Sequence, residues 1–283
     1  MARSTGSADL TVAPLDSLDR LSLNQITTNL LNMDEAIAAC ESHAIPWIAA
    51  WRHKLEQDVP AIRRRIENAG LRVSSLCRGG MFPAGTESER KKRIEDNMRA
   101  VDEAADLGTD VLVLVNGPAP DRDLDGARQM VLDGIAEVAP YARKRGVRLG
   151  IEPLHPMFAG DRSVVVTLNQ ANRMAEKFDA AEVGVVIDVY HVWWDPEVYS
   201  EIERAAGRIL GFHVSDWMVP TTSLLMGRGM MGTGVIELRR LRNAVERAGY
   251  RGPIEVEIFN QEIWNMPARR SLEWMKDAYL EHC

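Results

Sequence analysis

The sequence has few cysteines and no long apolar run. Cys40, Cys77 and Cys283 are far apart and form no Cys-x-x-Cys pair, so neither a disulfide framework nor a cysteine zinc site is predicted. No apolar run reaches the roughly 18 residues of a membrane helix, and the first residues lack the apolar centre of a signal peptide. We therefore expect no membrane span, no secretion and a cytoplasmic setting.

Dense basic stretches are also absent. The chain has 34 lysines and arginines against 41 aspartates and glutamates, a net charge of −7, which argues against a nucleic acid partner. With 283 residues, 46% of them hydrophobic, it can bury the core of one barrel-sized domain or of two smaller ones. We interpret residues 1–17 as a flexible arm and residues 18–283 as the folded domain.

Short apolar runs alternate with longer amphipathic segments from Leu21 onward. Several of these runs are rich in β-branched residues and almost continuously apolar, which is typical of parallel strands covered on both faces. The eight runs are LSLNQIT, AIPWIAAW, LRVSSLC, DVLVLVN, VRLGIEP, VGVVIDVYH, ILGFHVSD and PIEVEIF.

The segments between these runs have helical patterns, such as MDEAIAACESH and DVPAIRRRIENAG, and several end in glycine before the next run. The runs recur at intervals of roughly 25 to 45 residues, which suits a strand, a helix and two loops. Eight such units predict a single (β/α)8 TIM barrel. A doubly wound open sheet is the alternative, but the first turn, LNQITTNLLNMDEA, has no glycine fingerprint for a dinucleotide.

Acidic residues and histidines are concentrated where the last four predicted strands end. In a parallel barrel these ends open onto one face, where active sites lie. Several carboxylates and imidazoles that converge there require a cation, and oxygen-rich ligands with one imidazole suit Mn²⁺, Mg²⁺ or Co²⁺, with Zn²⁺ as an alternative. The residues are Glu152, His155, Asp188, His191, His213, Asp216, Glu255 and Glu257, and the earlier strands add Trp51, His53, Arg78 and Asn116.

The motifs IEPLHP, IDVYHVWWDP, GFHVSD with a later GTGVIEL, and EVEIF resemble those of the xylose isomerase-like barrels. This family includes sugar and sugar-phosphate isomerases and epimerases, inosose-processing enzymes and endonuclease IV. Strand alternation puts Glu255 and Glu257 on one face and does not choose between them. The resemblance selects Glu257 and implies that Glu152, Asp188, His213 and Glu257 bind one divalent metal, with Mn²⁺ preferred.

The resemblance also implies a reaction on a sugar or keto-sugar. The expected enzyme is an isomerase or epimerase that works through an enediolate, with Glu152 and Glu257 as its acid–base pair. The alternative is a lyase or dehydratase that eliminates a β-substituent from a 3-keto-glycoside or keto-inositol, because similar strings occur in subunits of C-glycoside deglycosidases. Met157 and Phe158 replace a second loop glutamate of tagatose-type epimerases, which weakens the ketose 3-epimerase hypothesis.

Two functions of other classes are more remote. A non-catalytic carbohydrate-binding subunit would bind its ligand without turnover. A nuclease like endonuclease IV would need further histidines, but Asn116 stands at the end of the fourth strand, and the chain is acidic. The family also implies a homo-oligomer, with a complex with a different subunit as the alternative.

The remaining candidate residues each carry two interpretations. His191 and His155 are substrate contacts or supports of other side chains. Trp193 and Trp194 are the floor of a sugar site, or they serve packing or a subunit contact. Arg228 lies in the glycine-rich MGRGMMGTG, which is a phosphate site or a mobile lid. The predicted substrate contacts are therefore His191, His155, Trp51, Arg78, Asn116, Trp193 and Arg228.

Overall fold

The structure, a computed structural model, describes residues 12–283. Its centre is a closed barrel of eight parallel strands in the order β1-β10-β7-β6-β5-β4-β3-β2. The predicted (β/α)8 barrel is confirmed, and the open doubly wound sheet is wrong. The barrel strands are β1 (Leu21–Asn24), β2 (Trp47–Trp51), β3 (Arg72–Gly80), β4 (Val111–Val115), β5 (Arg148–Glu152), β6 (Val183–Asp188), β7 (Ile209–Val214) and β10 (Ile254–Val256).

Helices surround the barrel, and local sequence sets their ends. Before α1, the Asn32 side chain accepts a hydrogen bond from Glu35 N while the Glu35 side chain accepts one from Asn32 N, which is a capping box. Helix α3 stops at Gly108, whose φ of 88° favours glycine. The helices are α1 (Met33–Ser42), α2 (Val59–Asn68), α3 (Glu87–Leu107), α4 (Leu124–Lys144), α5 (Leu168–Ala175), α6 (Val189–Val192), α7 (Val198–Arg204), α8 (Leu238–Arg247), α9 (Gln261–Trp264) and α10 (Ala268–His282).

The strand register places acidic residues and a histidine side by side. His213 on β7 pairs in register with Asp188 on β6 and with Glu255 on β10. Strand β10 ends at Val256, so Glu257 follows it directly at the carboxyl end of the barrel. Because all eight strands run parallel, these positions lie at one end of the barrel.

Strand β3 bends near its end, where its register with β4 shifts between Cys77 and Gly79. The Asn97 side chain on α3 accepts a hydrogen bond from Gly80 N at 2.6 Å and donates one to Gly80 O at 2.8 Å. Gly80 has a φ of 96°, and a Cβ there would lie 2.1 Å from Val115 O. The bend therefore requires glycine.

A short antiparallel pair, β8 (Asp216–Trp217) and β9 (Arg228–Gly229), follows β7. Of the predicted arm, residues 1–11 lie outside the described residues, and residues 12–17 form no helix or strand. Ala13 O accepts a hydrogen bond from Arg242 at 2.7 Å, so this part contacts α8. No helix within residues 12–283 has the length and apolar character to cross a membrane.

Candidate metal centre

Four side chains from different strands converge at the carboxyl end of the barrel. Glu152 ends β5, Asp188 ends β6, His213 lies on β7 and Glu257 follows β10. One ligand atom from each lies within 4.8 Å of the others, and the residues are 4%, 0%, 1% and 4% exposed. The structure therefore brings together the four residues that the sequence predicts as metal ligands, and we call them the four-donor cluster.

The two nitrogens of the His213 ring face different carboxylates. Nδ1 lies 3.2 Å from Glu152 Oε1 and 3.8 Å from Glu257 Oε2, whereas Nε2 lies 3.2 Å from Glu255 Oε2. Glu257 thus belongs to the cluster, and Glu255 lies behind the ring. The Asn24 side chain joins them, since its Nδ2 donates to Glu255 at 3.4 Å and to Glu257 at 3.3 Å.

Unpaired atoms and charge both favour a cation in the cluster. Glu152 Oε1 and His213 Nδ1 are buried, and neither has a well-directed hydrogen bond within the described chain. Counting Glu255, four buried carboxylates meet here, and the permanently charged Arg228 contacts two of them, Asp188 and Glu257. Burying this much negative charge is unfavourable unless protons or a metal ion balance it. The donor set of three carboxylates and one imidazole fits a divalent metal.

The environment separates the pKa values of the two cluster glutamates. Burial raises the pKa of Glu152, although His213 opposes this effect. Burial also acts on Glu257, but the charge of Arg228 and the nearby His213 outweigh it and hold its pKa below the usual range. For His213, the surrounding carboxylates outweigh burial and raise the pKa well above its ordinary value. Without a metal, protons on Glu152 and His213 reduce the excess negative charge.

Arg228 is buried within the site. Its Nη1 donates to Asp188 Oδ2 at 2.8 Å, to Glu257 Oε2 at 3.0 Å and to Glu257 O at 3.1 Å. Its guanidinium also lies over the Tyr190 ring, 4.5 Å from the centroid. Arg228 therefore orients two residues of the cluster.

The glycine-rich segment around Arg228 already binds a carboxylate of the chain itself. Asp216 accepts hydrogen bonds from Trp217 N and Ile236 N through Oδ1, and from Gly232 N and Gly234 N through Oδ2, at 2.9 to 3.0 Å. Two amides of the segment, those of Gly232 and Gly234, are therefore occupied, and Asp216 is a structural residue outside the cluster.

His191 is neutral and presents a hydrogen-bond donor. Burial, reinforced by Arg228 and opposed by Asp188, lowers the pKa of His191 to about 3. Arg228 Nη2 lies 3.2 Å from His191 Nε2. Because a guanidinium can only donate, Nε2 accepts and the ring proton resides on Nδ1. Nδ1 is buried and has no partner within residues 12–283.

The cluster opens into a cavity of about 490 Å³. Glu152, Glu257, His191 and Arg228 line one part, and Trp51, His53 and Arg78 line another. Trp51 is fixed by a hydrogen bond from its Nε1 to Asn24 Oδ1 at 2.7 Å. Four of the seven predicted substrate contacts therefore line one cavity with Glu152 and Glu257 of the cluster: Trp51, Arg78, His191 and Arg228.

Three predicted substrate contacts do not line this cavity. Asn116 is buried and donates to Glu152 O at 3.2 Å, so it supports the backbone of β5. His155 accepts a hydrogen bond from Met157 N at 3.2 Å and packs against Trp217 with centroids 5.0 Å apart. Trp193 also packs on Trp217, at 5.7 Å, which favours its packing interpretation. Their side chains turn to neighbouring elements instead of the cavity.

Several residues of the site were not predicted. Asn24 ends β1, so the rule that selects polar residues at strand ends would have found it. Arg52 directly follows β2 and was missed beside Trp51. Arg93, inside α3, and Arg162, in the loop after β5, also line the cavity. No sequence signal distinguishes these two from surface arginines.

Comparison with known proteins identifies the family. The profile described as xylose isomerase-like TIM barrel matches residues 37–278. The chain belongs to this family. A crystal structure of protein SMc04130 from Sinorhizobium meliloti 1021 is 46% identical in sequence, has a TM-score of 0.92, and the match covers 94% of this chain and 99% of that one. The resemblance that the motifs indicate is confirmed.

Two curated enzymes show more distant similarity. L-ribulose-5-phosphate 3-epimerase UlaE of Escherichia coli O1:K1 is 24% identical over 76% of this chain and 75% of its own length. A 3-dehydroshikimate dehydratase of Pseudomonas aeruginosa is 27% identical over 78% of this chain. The chain spans only 36% of that dehydratase. Relatives of this chain are thus enzymes of the epimerase and dehydratase types.

Proposed function

We propose that the protein is a divalent-metal-dependent isomerase or epimerase that acts on a sugar or keto-sugar through an enediolate. The observation that carries this proposal is the buried four-donor cluster at the floor of a cavity of about 490 Å³. That volume lies in the range of small-molecule sites. The similarity to an epimerase over most of both chains supports the same class.

Glu152, Asp188, His213 and Glu257 would hold the metal. Mn²⁺ is our preferred ion because oxygen donors outnumber the single imidazole, and Mg²⁺, Co²⁺ and Zn²⁺ are the alternatives. When bound, the cation supplies positive charge that stabilises negative charge on a substrate oxygen. No thiolate competes for this role, since Cys77 lines the cavity but burial holds its pKa well above the ordinary value.

Proton transfer is assigned to Glu152 and Glu257. Glu152 ends β5 and Glu257 directly follows β10; these two strands flank β6 and β7 in the barrel, and both residues line the cavity. A substrate carbon between them has a carboxyl group on either side, so one can remove a proton and the other can return one. We assign to His191 a hydrogen bond from Nδ1 to a substrate oxygen, because the residue lines the cavity and Nδ1 has no partner within residues 12–283.

A dehydratase or other β-eliminating lyase is the second candidate, and the similarity to 3-dehydroshikimate dehydratase favours it. Proton removal beside a carbonyl is common to both reactions. If the carbanion is reprotonated, the product is an isomer or epimer; if a β-substituent leaves, the product is an alkene. Either Glu152 or Glu257 would then protonate the leaving group.

The test is incubation of the Mn²⁺-loaded protein in D₂O with ketoses, keto-inositols, 3-keto-glycosides and 3-dehydroshikimate. Deuterium at carbon without loss of a substituent would support the isomerase or epimerase, and loss of a substituent would support the lyase. Stoichiometric ligand binding with no exchange would refute both and favour a binding subunit. Whether the protomer forms a homo-oligomer or joins a different subunit stays a prediction.

A further inference from the structure

Four arginines line the cavity that opens from the four-donor cluster. Arg52 follows β2, Arg78 lies on β3, Arg93 on α3 and Arg162 in the loop after β5. Three of them come from the β2–β3 side of the barrel, whereas the cluster comes from β5, β6, β7 and β10. Arg162 lies beside the end of β4, the neighbour of β3, because its carbonyl accepts a hydrogen bond from Gly117 N at 3.0 Å. We call Arg78, Arg93 and Arg162 the basic wall of the cavity, opposite in charge to the acidic cluster at its floor.

Arg52, which also lines this side of the cavity, is paired with two carboxylates. Its guanidinium donates to Asp96 at 2.9 and 3.2 Å and to Glu103 at 2.5 and 3.1 Å, so its charge is balanced. Asp96 is the one carboxylate that lines this side of the cavity, and Arg52 already engages both of its oxygens. Asp96 therefore does not balance the charge of the basic wall.

The three arginines of the basic wall have no such partner. Within residues 12–283, the guanidiniums of Arg78 and Arg93 make no hydrogen bond or ion pair. Arg162 has a buried Nε without a hydrogen bond, and its nearest carboxylate, on the exposed Asp161, is 3.9 Å away. Other arginines pair closely with carboxylates, as Arg63 does with Glu67 at 2.8 Å and Arg145 with Asp102 at 2.9 Å. Some surface arginines in the described part of the chain do not, so the distinguishing feature of Arg78, Arg93 and Arg162 is that all three line one cavity.

The charge of Arg78 also acts on a neighbouring side chain, as a smaller effect than burial. His53 lines the same part of the cavity, and partial burial together with the charges of Lys54 and Arg78 lowers its pKa. The whole chain carries a net charge of −7, so this wall runs against the overall charge. A surface patch of one charge sign, such as the basic wall, concentrates ligands of the opposite sign.

We propose that the substrate carries an anionic group, a phosphate monoester or a carboxylate, that binds Arg78, Arg93 and Arg162 while the reacting carbon lies at the four-donor cluster. Guanidinium groups bind both oxyanions through paired hydrogen bonds. The position of the reacting carbon in this inference rests on the proposed function. The binding of the anion at the basic wall does not.

The first test measures anion binding without turnover. Inorganic phosphate is titrated into the Mg²⁺-loaded full chain and followed by isothermal titration calorimetry. The double variant Arg78→Gln/Arg93→Gln should weaken binding about tenfold or more. Lys92→Gln is the matched control, because Lys92 is exposed on α3, is charged and does not line the cavity. Equal phosphate binding by all three proteins, or none by the wild type, would overturn the proposal.

The second test compares a neutral ketose, its terminal phosphate ester and a keto-acid such as 3-dehydroshikimate in the D₂O exchange assay. We expect exchange with one of the two anions at a KM at least about tenfold below that of the neutral ketose. Whichever of the two is turned over shows whether the anionic group of the substrate is a phosphate ester or a carboxylate. The double variant should raise KM with little change in kcat, whereas Lys92→Gln should change neither.

The two proposals fail differently. If phosphate binds through Arg78 and Arg93 but no substrate exchanges a proton, the anion site stands and the proposed function is refuted. If neutral ketoses exchange as well as their phosphate esters and the double variant keeps its KM, the function stands and the anion site is refuted.

Discussion

Replacing Glu255 tests whether His213 is held for metal binding. The Glu255 carboxylate lies 3.2 Å from His213 Nε2, on the side of the ring away from the cluster, and is 2% exposed. A carboxylate behind a ligating imidazole fixes the ring and increases its basicity. Glu255→Gln keeps the shape of the side chain and removes the charge. Removal of such a partner weakens metal affinity about 10- to 100-fold, or about 1.4 to 2.7 kcal/mol.

The metal-free protein should respond much less. The surrounding carboxylates outweigh burial and raise the pKa of His213, so without metal the ring is protonated and Glu255 faces an imidazolium. Glu255→Gln removes that attraction, but it also removes repulsion among the four buried carboxylates, and the amide oxygen can still accept a hydrogen bond from Nε2. We therefore expect the free energy of unfolding in chelator to change by less than about 1 kcal/mol in Glu255→Gln. A variant that is merely damaged would lose metal affinity and stability together.

The assay is competition for Mn²⁺ or Zn²⁺ against a fluorescent chelator, paired with urea unfolding in excess chelator. Glu95→Gln is the matched control, since Glu95 is exposed on α3 and makes the same change of charge. The Co²⁺ absorption spectrum adds a direct view of ligand geometry. Metal affinity within twofold of the wild type, or a loss of more than about 1 kcal/mol of stability without metal, would refute the role assigned to Glu255.

Three further changes test the rest of the site. Glu152→Gln should keep the fold, checked by circular dichroism, and cut proton exchange in D₂O by several orders of magnitude; near-normal exchange would remove Glu152 from the reaction. His213→Ala should lower the metal content measured after gel filtration, and unchanged content would contradict the ligand set. Asp216→Asn leaves two of the four amides that Asp216 binds without an acceptor, so urea unfolding should show a loss of about 3 kcal/mol or more; a loss below 1 kcal/mol would contradict it.

The barrel was predictable because its strands are short, apolar and rich in β-branched residues. All eight apolar runs contain an observed strand, and only the ends differ. The run LRVSSLC predicts an end at Cys77, but β3 continues to Gly80 through the bend that Asn97 holds. In VGVVIDVYH, the strand stops at Asp188 because its side chain accepts a hydrogen bond from Tyr190 N and starts α6.

The cluster was predictable for a different reason. The parallel arrangement brings every strand end to one rim, so acidic residues and histidines at those ends meet without any knowledge of loops. For residues that follow the strand ends, the parallel arrangement does not predict the direction of the side chain. Val115 pairs in register with Glu152 and lines the cavity, whereas Asn116, one residue later, turns to the opposite side. A one-residue shift at a strand end reverses the direction of a side chain.

The choice between Glu255 and Glu257 shows why register matters for function. Glu255 lies on β10 and Glu257 directly follows the strand. Strand alternation points both side chains inward but does not say how far each lies from the cavity. Register supplies the depth, because Glu255 pairs with His213 and Glu257 lies two residues closer to the carboxyl end. The Glu255 carboxylate therefore lies behind the His213 ring, and the Glu257 carboxylate lies beside the cavity. A single Glu-x-Glu pair can thus provide both the support of a metal ligand and a ligand that reaches the substrate.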